Sequence, residues 1–197
     1  RGPASDAVGA TLYPIVTGER VWALIDLNDA DFVSISNLAL RDAQRGILVQ
    51  NGSDDLDLDH IEAWGHSQEG IRVDTTADLK VWDGITVHDN AATGLWVDGP
   101  LGGLSNVLSY SNSGYGLQVT GSLASLTDSE FHHNTSDGAH IFNAGATTVQ
   151  ASSFHDNTGS GLRFYSAVGG LVGSEDLSSG LGNTAYNNTY DGLYVSG

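Results

Sequence analysis

The sequence predicts an all-β solenoid, a stack of near-identical coils, and three observations carry that expectation. First, one block recurs: an Asn, three residues, a Gly, then an apolar residue, any residue and a second apolar residue. Its full copies run from Asn90 through Gly94 to Val97, Asn112 through Gly116 to Val119, Asn134 through Gly138 to Ile141, Asn157 through Gly161 to Phe164, and Asn188 through Gly192 to Val195. Asp42 and His66 stand in for the Asn ahead of Gly46 and Gly70. Second, the glycines are 24, 24, 22, 22, 23 and 31 residues apart, a period that belongs to stacked repeats sharing one core. Third, apolar residues around each block alternate with polar ones at period two, as strands with one buried face must.

Residues 1–20 lack the block and read as a leading strand or irregular N-terminal cap. Val21 to Leu27 and Phe32 to Ile35 read as the first strands of a solenoid running from 21 to 197. Within each coil the residues five and three before the Asn point inward: Ile61 and Ala63, Ile85 and Val87, Val107 and Ser109, Ser129 and Phe131, Ser152 and Phe154. The first and third residues after the Gly form a second strand. Leu79 with Val81, Leu101 with Leu104, and Leu123 with Leu126 mark a third. Three strands and three turns in about 22–24 residues predict seven to eight coils at a spacing of ~4.8 Å. The long interval between Gly161 and Gly192 predicts an inserted loop near 173–180, since insertions in solenoids collect at turns.

The Asn is expected to take a left-handed turn conformation and to pair its amide with the Asn one coil away. Asn90, Asn112, Asn134, Asn157 and Asn188 would then form a ladder. The Gly is expected to supply a positive φ.

Composition narrows the function. The 197 residues carry 24 acidic and seven basic side chains, a formal charge of -17, which opposes contact with phosphate backbones. Nucleic acid is therefore not an expected partner. No apolar run reaches the length of a membrane span, so membrane insertion is not expected either. The absence of cysteine removes disulfides and thiolate metal sites. With no initiating Met and a final repeat that runs to the last residues, the chain is expected to be a segment of a longer protein, extracellular or at the cell surface.

Two outward-facing columns are the candidate sites. Two residues before the Asn stand Trp64, His88, Tyr110, His132, His155 and Tyr186; two after the Gly stand Arg72, Trp96, Gln118, His140, Arg163 and Tyr194. Asp74, Asp98, Thr120, Phe142 and Tyr165 flank the second column. Rings one coil apart can stack for packing alone, or can serve an extended polysaccharide or another partner. Asp74 with Asp98, and Asp54, Asp55 and Asp57 in the acidic run that ends at Asp59-His60, are candidate ligands for Ca²⁺, a hard cation that takes carboxylate oxygens. The adjacent His132 and His133 are expected to face opposite ways, while His132 and His155 share a side. His66 sits at the turn position that Asn fills elsewhere.

The segments Phe154 to Leu162 and Tyr110 to Leu117 resemble the repeat of the right-handed parallel β-helix, pectate-lyase-like superfamily, over roughly residues 21–197. The resemblance implies a right-handed coil and a substrate groove along the outer face of one sheet. It spans polysaccharide lyases, epimerases and hydrolases, but also adhesins and surface proteins without catalysis. No Asp-Pro-His of alginate C5-epimerases and no Arg-x-Pro-x-x-Arg of pectate lyases occurs. Three readings follow. The first is a rigid rod with a glycan- or partner-binding face. The second is a uronate lyase or C5-epimerase using Arg163, His140 and Tyr165. The third is a filament subunit joined through the rod's ends.

Overall fold

The computed structural model describes residues 4–5, 11–12, 15–19, 21–74, 79–142, 147–165, 171–173 and 182–196. Two sheets of parallel strands wrap one core. An eight-stranded sheet stacks Ala23–Asn28, Arg45–Gln50, Ile71–Val73, Leu95–Val97, Leu117–Val119, Ala139–Ile141, Leu162–Tyr165 and Leu193–Ser196 in chain order. A twelve-stranded sheet supplies the other two sides of each turn. Its long strands Ser34–Arg41, Asp57–Trp64 and Leu79–His88 run across both sides, and each later turn divides the same path into two short strands. A two-stranded antiparallel pair, Ala4–Ser5 with Thr11–Leu12, precedes them. The expected loop at 173–180 lies, beyond Gly173, outside the described residues.

Register is kept from turn to turn, so equivalent residues form straight rows. Leu40, Ala63, Val87, Ser109, Phe131 and Phe154 are buried in one interior row, and Ile47, Ile71, Leu95, Leu117, Ala139 and Leu162 in another. Phe131 and Phe154 stack with centroids 5.4 Å apart. The described strands stack in about six turns. That is slightly below the seven to eight coils expected, and the first and last turns meet a neighbour on one side only. At the last, Leu193 and Val195 are in register with buried Leu162 and Phe164 yet are 47% and 56% exposed.

The third strand departs from its expected reading. Val81 is 54% exposed and Trp82 is fully buried, donating its indole N–H to the Leu56 carbonyl at 3.0 Å. The inward pair is Leu79 and Trp82, the same three-residue step as Leu101 to Leu104, and the strand places Lys80 and Val81 both outward.

The corner chemistry also corrects the expectation. Positive φ occurs not at the turn Asn but one residue earlier, at Gly65, Asp89, Ser111, His133, Asp156 and Asn187. Asp42 lies in this left-handed row too, so Ala43 and not Asp42 occupies the turn position in the first copy. A second row of left-handed residues, Asn37, His60, Gly84, Asn106, Asp128 and Ala151, bends the twelve-stranded sheet into an L. The recurring glycines take ordinary negative φ and are needed for closeness instead. A Cβ on Gly46, Gly70, Gly94, Gly116, Gly138 or Gly161 would lie 2.5 to 2.9 Å from the carbonyl oxygen of the next glycine in the row. Each of those carbonyls accepts the N–H of the residue after the glycine one turn back.

The turn asparagines line one buried edge. Nδ2 of Asn90, Asn112, Asn134 and Asn157 donates to Oδ1 of the next Asn at 3.0 to 3.1 Å and to a backbone carbonyl of the preceding turn. Each Oδ1 also accepts a backbone N–H. His66 continues this edge: Nδ1 accepts from Ala43 N at 3.2 Å and Nε2 lies 3.2 Å from the Leu40 carbonyl. The Nε2–H tautomer thus reproduces an amide's acceptor and donor. Burial holds the His66 pKa below the ordinary histidine value, against the opposing pull of those backbone contacts and of Asp42.

Candidate functional site

The first outer column is a continuous pile of rings. Trp64, His88, Tyr110, His132, His155 and Tyr186 follow one another in strict strand register. Their centroids are 4.6 to 5.7 Å apart and their planes lie within 7° of parallel. The Arg41 guanidinium lies 6.0 Å from the Trp64 ring centre at one end. Ring faces therefore cover one another, and the column shows edges to solvent. Carboxylates grip those edges: His88 lies between Asp89 and Glu62 at 2.7 and 3.2 Å, and His155 between Asp156 and Glu130 at 2.7 and 2.8 Å. Burial pulls the His155 pKa down, but the Asp156 and Glu130 carboxylates outweigh it, and the pKa lies above the ordinary value.

His133 does not face away from His132. Its left-handed φ of 55° turns the ring back, and the two Nδ1 atoms lie 2.7 Å apart. One donates and the other accepts. His132 and His155 are parallel, so their in-plane lone pairs do not converge on one point between them.

The second column, on the eight-stranded sheet, is assembled differently. Arg72, Trp96, Gln118, His140, Arg163 and Tyr194 are again in register, but they interact in two groups. In the first, the Arg72 guanidinium sits 3.7 Å from the Trp96 ring centre. It donates to Asp74 and, at 2.7 Å, to Asp98, which also accepts from Trp96 and Thr120. An arginine thus occupies the place between Asp74 and Asp98, and this pair does not fit a Ca²⁺ ion. Asp54, Asp55 and Asp57 do not gather either: Lys80 approaches Asp55 at 3.5 Å, and among the described residues the one group of metal-ligating type lies elsewhere, at Asp59, His60 and Asp83.

The second group surrounds His140. Its ring is 4% exposed, stacked on Phe142 at 4.2 Å and Tyr165 at 5.3 Å, with Tyr115 edge-on at 5.1 Å. Asp137 Oδ2 lies 3.1 Å from His140 Nδ1 and 3.6 Å from Arg163 Nε. Asp137 Oδ1 accepts the Ser160 N–H at 2.7 Å. Burial raises the Asp137 pKa, yet the contacts with His140, Ser160 and Arg163 outweigh that and hold it below the usual carboxylate value. No well-formed hydrogen bond reaches either nitrogen of His140, or Nε of Arg163, among the described residues. Arg163 lies 5.0 Å from the Tyr194 ring centre. Tyr194 in turn is tilted 54° from Tyr165, so these two ring faces are not closed against each other.

The structure thus brings Arg163, His140 and Tyr165 together and adds Asp137 and Tyr115, which sequence reasoning missed. Both precede a recurring Gly, a position occupied across the turns by Arg45, Glu69, Thr93, Tyr115, Asp137, Ser160 and Asp191. The ion pair of Arg45 with Glu69, at 2.7 Å, shows that this row interacts between turns. That row was the signal available.

Comparison with known proteins agrees with this architecture. The family model described as "Right handed beta helix region" matches residues 69–197. No curated protein matches the chain. Among solved structures, the A-module of the mannuronan C-5 epimerase AlgE4 of Azotobacter vinelandii superposes with a TM-score of 0.50 at 16% identity. The alignment covers 94% of this chain and 66% of that module, so the chain spans just under two thirds of its length. The A-module of AlgE6 from the same organism aligns at 14% identity and a TM-score of 0.36, over 96% of this chain and 84% of that one. The likeness to the AlgE4 module is one of fold. With a family model matching well over half its length and a stack of parallel three-sided turns, the chain belongs to the right-handed β-helix family.

Proposed function

We propose that the chain is a rigid rod, outside the cell or at its surface, that binds an extended glycan along the outer face of the eight-stranded sheet. One observation carries this reading. On that face the rings do not form one continuous pile: Trp96 is covered by Arg72 on one face only, and Tyr165, stacked with His140 and Phe142, is not closed against the tilted Tyr194, whereas the rings of the other column cover one another from end to end. Sugar recognition needs an open ring face beside hydrogen-bonding groups, and Arg72, Thr120, Arg163 and Tyr194 supply the latter. The rod itself is held stiffly because each turn is hydrogen-bonded to the next along both sheets and the asparagine edge. Calorimetric titration with mannuronan, polygalacturonate and a neutral β-glucan oligosaccharide tests the proposal. Binding that is lost in Trp96→Ala and Tyr165→Ala and kept in Trp64→Ala supports the reading; equal binding by all three variants overturns it.

A second reading, epimerisation or lysis of a uronate polymer, is favoured by the poorly satisfied His140 beside Arg163 and Tyr165. Arg163 would neutralise the uronate carboxylate, His140 would remove the C5 proton, and Tyr165 would protonate the leaving oxygen or the opposite face. Against it, His140 is enclosed by Phe142, Tyr115 and Tyr165 and faces Asp137. Incubation with mannuronan and polygalacturonate, followed by ultraviolet absorbance for unsaturated ends and by proton NMR for epimerised units, separates the two. Product that disappears in Arg163→Ala and His140→Ala would replace the binding reading with the enzymatic one.

A further inference from the structure

The corner of the L-shaped sheet carries a group of ligands that belongs to neither outer column. Asp59 and Asp83 are direct partners in adjacent parallel strands. Two like charges directly opposite on a sheet face are destabilising; here Asp59 Oδ1 lies 2.7 Å from His60 Nδ1, a contact that a shared cation would replace. His60 follows Asp59 in a left-handed conformation, φ 51°, so its ring swings across the corner instead of pointing to the opposite side of the strand. The ring lies over Gly84, where a Cβ would meet its Cγ and Cδ2 at 3.2 and 3.3 Å. One ligand atom from each of Asp59, His60 and Asp83 lies within 4.8 Å of the other two. Behind them, Ser105 and Asn106 donate to Oδ1 of Asp83, Asn106 at 2.7 Å. Such donors orient a carboxylate ligand from behind.

The geometry points to a divalent metal site at this corner, with Asp59, His60 and Asp83 as protein ligands and a first-row transition ion such as Zn²⁺ as its occupant. An imidazole with two carboxylates suits that class; Ca²⁺ takes six to eight oxygen ligands, which this corner does not offer. Three protein ligands leave coordination positions open. They open beside a groove of about 450 Å³ lined by His60, Glu62, Thr86, Asn106 and Tyr110, where an oxygen-rich ligand could complete the shell. The site is separate from the glycan face proposed above, on a different sheet, and stands or falls independently of it.

Calorimetric titration with Zn²⁺ alone, in about 1 M salt where the Debye length is ~3 Å, removes diffuse attraction to the acidic surface. We expect one saturable site per chain and no comparable binding of Ca²⁺. His60→Asn keeps a residue that tolerates the left-handed corner and removes the imidazole; it and Asp83→Asn should weaken Zn²⁺ by tenfold or more. Asn106→Ala should weaken it by about tenfold through loss of support behind Asp83. Unchanged affinity in His60→Asn, or no saturable binding to the parent protein, overturns the proposal. Should the variants unfold, Cu²⁺ bound to the parent decides: electron paramagnetic resonance must show coupling to one imidazole nitrogen. No nitrogen, or the two nitrogens that His132 and His133 would give, overturns it.

Discussion

The turn-asparagine edge and the outer ring column both repeat once per turn, in the same register, and they join the turns by opposite means. Along the buried edge every side chain makes directional bonds. Asn134, about 1% exposed, donates to Asn157 and to the Ser109 carbonyl, and accepts from both nitrogens of Asn112. Identity is therefore strict, and the one substitute within the ladder, His66, carries an acceptor and a donor at matching places. In the outer column the requirement is a flat ring of roughly the right width. Trp, His and Tyr alternate there without pattern, because parallel stacking at about 5 Å depends little on which ring is present. The same period thus hides two selection rules, one for hydrogen-bond geometry and one for shape.

Breaking the edge should cost most. Asn134→Ala removes four hydrogen bonds and strands buried backbone groups, so we expect a loss of about 3–5 kcal/mol in urea unfolding. Asn134→His should recover part of it, since His66 fills this role two turns away from Asn112. A variant as stable as the parent would show the ladder to be incidental. Gly138→Ala should cost about 2–3 kcal/mol, because its Cβ would press to 2.6 Å from the Gly161 carbonyl oxygen. A small effect would mean that the turns can part locally. In the outer column, Tyr110→Ala opens a gap between His88 and His132 and should cost about 1–2 kcal/mol. Tyr110→His, which keeps a ring, should stay within about 0.5 kcal/mol of the parent.

This contrast also explains which features were legible in the sequence. Period, strand alternation and the asparagine row depend on residues whose identity is strict, and they stand out in one chain. The left-handed corners do not, because Asp, Ser, His, Asn and Gly all occupy the same position. An αL residue in a tight corner costs only about 1–2 kcal/mol, which the surrounding bonds readily offset, so no single residue type is selected. Trp82, not Val81, is the buried residue because the strand breaks alternation by placing two successive side chains, Lys80 and Val81, outward. Asp137 went unnoticed because its partner Arg163 is a full turn away in sequence, in a row whose residues change type at every turn. The metal corner is hidden in the same way: Asp59 and His60 are adjacent, but Asp83 joins them only through register.

The smallest effect separates the two regions by sign. His66, on the buried edge, has a pKa below the ordinary histidine value. The unfolded chain therefore binds its proton first, and the stability this group contributes, present above about pH 6.5, is lost as pH falls below it. His155, in the outer column, has a raised pKa, so its contribution is complete below about pH 6.5 and is lost as pH rises through the folded-state value. Urea midpoints measured from about pH 5 to 8.5 should show both limbs. His66→Asn, which restores the residue used by the rest of the ladder, should flatten only the acid limb. His155→Gln should flatten only the alkaline limb, by less, because its carboxylate partners are partly solvated and screened. If both variants flatten the same limb, the two rows do not differ in the way their geometry requires: a neutral imidazole serving as a hydrogen-bonding amide on the inside, and a charged one held by carboxylates on the outside.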